Sequence, residues 1–152
     1  MKSISILTLL LASALFSFAQ DKAVPLNEPN YNKKKVFTDL PDKAQLRLAD
    51  VERLLTLPVG APVNTIISKN FHITGKVVSV SDPADQSVKS VVVKLSNRDG
   101  AVFTFTRTKK ADGSFGFLGR LVSRNSGDAL ELVKENGQYV LLKKGAQELY
   151  VE

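Results

Sequence analysis

From about Val63 onward the apolar positions alternate with polar ones or fall in short β-branched and aromatic runs, which is the period of strands rather than helices. Six runs stand out: Phe71–Val80, Val88–Ser96, Ala101–Arg107, Phe115–Arg124, Ala129–Val133 and Tyr139–Leu142. They are separated by Ser81-Asp82-Pro83-Ala84-Asp85, Asn97-Arg98-Asp99-Gly100, Ala111-Asp112-Gly113, Asn125-Ser126-Gly127-Asp128 and Asn136-Gly137. Links this short join antiparallel neighbours. Asn136-Gly137 predicts a two-residue hairpin, because both central positions of that turn need positive φ. The closing segment, Lys143 to Val151, reads equally as a short helix or a last edge strand.

Upstream of Val63 the pattern changes. Asp39, Pro41 and Asp42 are the residue types of a helix start, and Ala44, Leu48, Val51 and Leu55 then recur at helical spacing, with Leu54 widening the stripe. One amphipathic helix is predicted from Asp39 to about Leu57, ended by Pro58 and Gly60, with its stripe closing a sheet or barrel. Residues 20–38 lack periodicity and carry Pro25, Pro29 and Lys33-Lys34-Lys35, the composition of an extended or disordered arm; Val36 and Phe37 are its docking positions. Residues 1–19 have the form of a signal peptide. A basic start, an apolar run from Ile4 to Phe16 and small residues at Ser17 and Ala19 predict cleavage after Ala19, and the run is too short to span a bilayer.

Sliding the chain so that Phe71 falls on Phe115 aligns Gly75, Lys76, Val77, Val78 and Ser79 with Gly119, Arg120, Leu121, Val122 and Ser123. The shared pattern is Phe-x-x-x-Gly-basic-aliphatic-Val-Ser, and it divides the single domain 39–152 into two three-stranded units, about 60–97 and 100–135. Alternation puts Phe71 and Ile73, or Phe115 and Phe117, on one face and Val78 or Val122 on the other. Gly75 and Gly119 are therefore expected to be structural hinges where a strand bends and changes its buried face. The fold expected is mainly β (α+β by content): a six- to seven-stranded antiparallel barrel or sandwich with internal duplication and one N-terminal amphipathic helix. This arrangement resembles the small barrels of the Sm-like and oligonucleotide-binding kind in architecture alone, which carries no function with it.

Composition narrows the chemistry. The formal charge is +6, of which Lys2 would leave with the leader, and there is no cysteine and a single histidine. Disulfides and thiolate sites are excluded, and zinc or copper sites nearly so. His72, between Phe71 and Ile73, is expected on the outer face of its strand. Asp82, Asp85, Asp112 and Asp128 lie in separate links without calcium-loop spacing, so turn formation is their expected role. No phosphate-cradling glycine loop occurs. No catalytic residue, metal site or cofactor is expected, and the chain does not read as an enzyme. One constellation remains: Arg107, Lys109 and Lys110 leave one strand and Arg120 and Arg124 return on the next, an anion-binding candidate if they gather on one side of a sheet. The expected role is a secreted or periplasmic, non-catalytic β module that binds an exported protein or an anionic polymer. The alternative is an inhibitor or accessory domain of an exported enzyme, with Leu57-Pro58-Val59-Gly60-Ala61-Pro62 as a rigid insert.

Overall fold

The structure, a computed structural model, describes residues 33–145 and 148. The signal-peptide reading of residues 1–19, the arm as far as Asn32 and the final residues lie outside that range. Eight strands follow in the order β1 (Lys43–Gln45), β2 (Pro62–Ser68), β3 (Phe71–Val80), β4 (Val88–Leu95), β5 (Ala101–Lys109), β6 (Phe115–Ser123), β7 (Asp128–Glu135) and β8 (Gln138–Gly145). A helix, α1 (Leu48–Glu52), runs into a 3₁₀ turn over Arg53–Thr56. All neighbours are antiparallel, in the sheet order β1-β8-β7-β6-β5-β4-β3-β2. The sheet curls into a half-barrel, with the chain after β1 reaching across to the far edge: Leu46 N–H donates to Tyr139 (3.0 Å) and Arg47 N–H to Ile67 (2.8 Å). No helix among the described residues is long and apolar enough to cross a membrane.

The strand count of six to seven is corrected to eight, and the long helix is not formed. Ala44 pairs with Leu141 in β1, and only Leu48–Glu52 is α-helical. Backbone pairing with β8 and burial of Leu40 and Leu46 outweigh a local helical stripe, whose propensity is worth only tenths of a kcal/mol per residue. The surviving turn still caps the core, since Val51 and Leu54 are buried against it. The strand from Pro62 to Ser68 pairs with β3 along most of its length. At Asn136-Gly137 both φ values are positive, 49° and 80°, as the two-residue hairpin requires.

The core lies on the concave face, where Val63, Ile67, Phe71, Ile73, Val77, Val91, Val93, Phe103, Phe105, Leu121, Leu130 and Leu141 meet. Val77 and Leu121 are buried where alternation through a hinge predicted Val78 and Val122 on a new inner face. Phe71, Ile73, Gly75 and Val77 thus keep one parity, and so do Gly119, Leu121 and Ser123. The irregularity in β3 falls between Val77 and Ser79, beyond Gly75, and leaves Val78 in solvent. Gly75 serves close approach instead: a Cβ there would overlap the Lys94 carbonyl oxygen of β4.

The end of the half-barrel opposite α1 is filled by the arm. Phe37 is wholly buried, and its N–H donates to Oδ2 of Asp128 (3.0 Å) while Val36 N–H donates to Oδ1 (2.8 Å). Asp128 is itself buried and is further held by the Ser126 hydroxyl. Arg98 clasps the same segment, donating to the Asp39 carboxylate through both terminal nitrogens (2.5 and 2.6 Å) and to the Val36 carbonyl (3.1 Å). Its guanidinium also stands 5.5 Å from the Phe71 ring centre. Lys143 Nζ donates to the Leu40 carbonyl.

Candidate functional site

The five cations singled out in the sequence do not form one patch. Arg107 continues the inward parity of Phe103 and Phe105, so it stands at the α1 end of the half-barrel, 4.5 Å above the Phe115 ring centre and 3.8 Å from Glu52 Oε1. Lys109 and Lys110 follow at the β5–β6 hairpin, both exposed, and the Lys110 side chain lies over Gly116. Arg120 points outward and binds Glu131 (3.1 Å). Arg124 lies past the other end of β6, where its carbonyl accepts a hydrogen bond from Lys33 Nζ (2.8 Å). At ~3.3 Å per residue the length of β6 puts Arg124 roughly 30 Å from the hairpin lysines. Arg107, Lys109 and Lys110 are therefore brought together, whereas Arg120 and Arg124 are not.

The rings expected to face inward behave unequally. Phe103 and Phe105 are buried, and ring contacts run from Phe103 to Phe105 (6.2 Å), Phe117 (5.7 Å) and, edge-on, Tyr139 (5.3 Å). Phe115, at the end of this row, is 42% exposed beneath Arg107.

The outer face carries a feature that composition does not announce. A groove of about 530 Å³ crosses β5, β6 and β7, lined by Thr104, Thr106, Leu118, Arg120, Val122 and Glu131 with Gly119 and Leu132 at its floor. Leu118 is 67% exposed. The signal for it was the strand period: Phe117, Gly119 and Leu121 inward place Leu118 outward beside Thr106, its Cα partner on β5. Above Leu118 the rim is fixed by charge. Glu131 accepts from Arg120 and, at 2.6 Å, from Lys144 Nζ, and these hydrogen bonds, Lys144 first, hold its carboxyl below the usual glutamate range against the opposing effect of burial.

The ladder between β6 and β7, beneath the groove, is short. Their ladder comprises Arg120↔Glu131, Leu121↔Leu130 and Val122↔Ala129, whereas β5 and β6 pair over nine positions and β7 and β8 over eight. Toward α1 the two strands therefore fork. The Lys110 N–H donates to the Ser114 carbonyl (2.8 Å), which fixes the hydrogen-bonding phase of the β5–β6 ladder. Alternation then directs the backbone groups of Gly116, Leu118 and Arg120 to β5 and those of Phe115, Phe117 and Gly119 toward β7. On β7 the two-residue hairpin makes Glu135↔Gln138 a hydrogen-bonded pair, so Leu132 and Lys134 direct theirs toward β6. Phe115, Phe117 and Lys134 thus hold backbone donors and acceptors in pairing orientation with no ladder partner among the described residues.

The histidine and the link aspartates have structural partners. His72 is exposed, against the Asn64 amide oxygen. Asp82, Asp85 and Asp112 accept backbone N–H groups two residues ahead, at 2.8, 2.7 and 2.9 Å, as turn residues do. Asp128 departs from that expectation by anchoring the arm. Among the described residues no group of three or more His, Asp or Glu side chains is placed to hold a metal ion. No protein-family model, curated protein or solved structure matches the chain.

Proposed function

We propose that the chain is an exported, non-catalytic binding module whose ligand is a protein, engaged on the outer face of the half-barrel. The observation that carries this reading is the groove itself, in which Leu118 stands in solvent beside Val122 and over Leu132, with Thr104, Thr106 and the Arg120–Glu131 pair as its polar lining. A large exposed apolar side chain in a concavity rimmed by polar groups is the usual form of a contact site. The acids support the non-catalytic part, because Asp39, Asp128 and Glu131 are engaged in holding the fold together. Dispersal of the five cations counts against a polyanion ligand, which needs a continuous basic track. Export rests on the leader pattern of residues 1–19; a mature N-terminus at Gln20 in the periplasm or medium is the expected product, and retention of the leader on cytoplasmic material would overturn it.

A second reading, inhibition of an exported enzyme, is favoured by Val59, 60% exposed in the Pro58–Gly60 turn. One experiment separates the two. A photo-crosslinking residue placed at Leu118 or at Val59 in the exporting cell should give one dominant adduct from Leu118 and none from Val59. The reverse result supports the insert, and equal diffuse labelling from both positions overturns the binding-module reading.

A further inference from the structure

We infer that the outer-face groove is filled, when no partner is bound, by this chain's own arm, with Leu26 against Leu118 and Tyr31 against Val122. The inference rests on the reading of the groove as a contact surface and names the segment that a partner must displace.

The arm enters the fold beside the groove. Asp128 turns its carboxylate inward, where it holds the Val36 and Phe37 N–H groups. Gly127, the residue before it, faces the opposite way, and a Cβ there would stand 2.8 Å from the Lys33 carbonyl oxygen and 3.6 Å from Lys33 Cβ. The Gly127 N–H donates to the Lys34 carbonyl (3.2 Å), and Lys33 Nζ donates to that of Arg124 (2.8 Å). The chain thus crosses the rim of the half-barrel between Val36 and Lys33. Lys33 lies on the outer side, at the end of β6 from which Val122, Arg120 and Leu118 lead along the groove.

Followed back from Lys33 over β6, the arm matches that surface in reach and in character. Leu118 to Arg124 covers ~20 Å of strand, and Leu26 to Lys33 covers ~22 Å when extended as polyproline. Pro25 and Pro29 favour that form and lack the N–H groups a strand would need, so the segment lies across the face of the sheet and requires no open edge. With Lys33 beside Arg124, Tyr31 falls by Val122, Glu28 by Arg120 and Leu26 by Leu118. Apolar residues meet the apolar positions, and the acid between them meets an arginine whose side chain is half exposed beside Glu131. Covering Leu118 and Val122 removes apolar surface from water. Because the arm is tethered at Lys33, its effective concentration at the groove is of millimolar order, so a contact too weak to hold a free peptide still fills it.

The chain has no cysteine, which makes the test direct. In purified protein beginning at Gln20, the pair Leu26→Cys and Leu118→Cys should close to an intramolecular disulfide under mild oxidation. Closure should be about tenfold faster than for Leu26→Cys with Val78→Cys, an exposed position on β3. Thr106→Cys, opposite Leu118 on β5, should react with a maleimide about tenfold faster once Leu26→Ser and Tyr31→Ser are added, while Val78→Cys reacts at one rate with either arm. Equal closure with both partners, or labelling of Thr106→Cys that ignores the arm, overturns the contact. Disulfide-linked dimers in place of closed monomers at micromolar protein would assign the groove to the arm of a second copy and overturn it as well. None of these measurements involves a partner, so their failure leaves crosslinking in the exporting cell to decide the module reading. Closure of the disulfide together with no cellular adduct from Leu118 would leave the arm as the occupant of the groove and overturn the module reading instead.

Discussion

Two glycines at matching positions of the sequence repeat are asked to do different things, and substitution separates them. At Gly75 an added Cβ meets the main-chain oxygen of Lys94 and the Leu95 Cα at 3.0 Å, atoms that cannot move without parting β3 from β4. At Gly119 it meets Leu132 Cβ at 3.2 Å, which asks β7 to give by a few tenths of an ångström, and Leu132 Cδ2 at 3.4 Å, which can turn toward the groove. Gly75→Ala should therefore cost about 3 kcal/mol, the upper range for overpacking, and Gly119→Ala about 1 kcal/mol or less. Urea unfolding of the two variants checks the order; equal losses would contradict the close approach of β3 and β4. Asp128 makes the second case. Its carboxylate serves two main-chain donors inside the protein, so Asp128→Ala leaves the Val36 and Phe37 N–H groups without that acceptor. A loss of about 2 to 4 kcal/mol is expected in the same unfolding experiment, with fast exchange of the Phe37 amide as its local mark.

At the scale of elements, the segment Val36–Leu40 behaves as part of the core although it lies in the arm. Phe37→Ala should cost about 3 to 5 kcal/mol by denaturation, as for other buried phenylalanines, whereas Lys35→Ala should be near neutral because Lys35 is exposed. The strands from β3 onward were legible because each is a β-branched run closed by turn residues, and Phe71–Val80 coincides with β3 at both ends. The long helix fails to form for an equally definite reason: Ala44, Leu48 and Val51 are spaced for a helix, but Ala44 finds Leu141 as a partner from a strand nearly a hundred positions away. Such a pairing leaves no local trace. The same holds for the candidate site. Arg107 and Arg120 were identified as cations on adjacent strands, yet their parity sends one into the mouth and the other outside. The fork depends on where the β6–β7 ladder stops, which is a property of sheet curvature and of Leu132 resting over Gly119. Only the outward parity of Leu118 was available beforehand.

At the scale of the whole molecule, the charged latches make stability depend on pH in one direction. Asp39 is held below the ordinary aspartate range chiefly by its hydrogen bonds from Arg98, and Glu131 below the glutamate range chiefly by Lys144 and then Arg120. Both carboxyls have lower values in the folded protein than in the unfolded chain, so the folded state binds fewer protons in acid and stability rises with pH through that window. The contribution is complete above the ordinary carboxylate values and is lost as pH falls below them through the depressed ones. Asp39 is largely exposed, which limits the Arg98 pair to about 1 kcal/mol or less. Thermal unfolding followed from neutral pH into acid should show a falling midpoint that Asp39→Asn flattens in part and Glu131→Gln flattens separately. The two clasps share no partner, Asp39 being held by Arg98 and Glu131 by Lys144 and Arg120, so the double variant should combine both effects. A double variant whose acid profile matched that of either single one would mean that a single group governs the transition, and the view of the half-barrel as closed by two independent polar latches would fail.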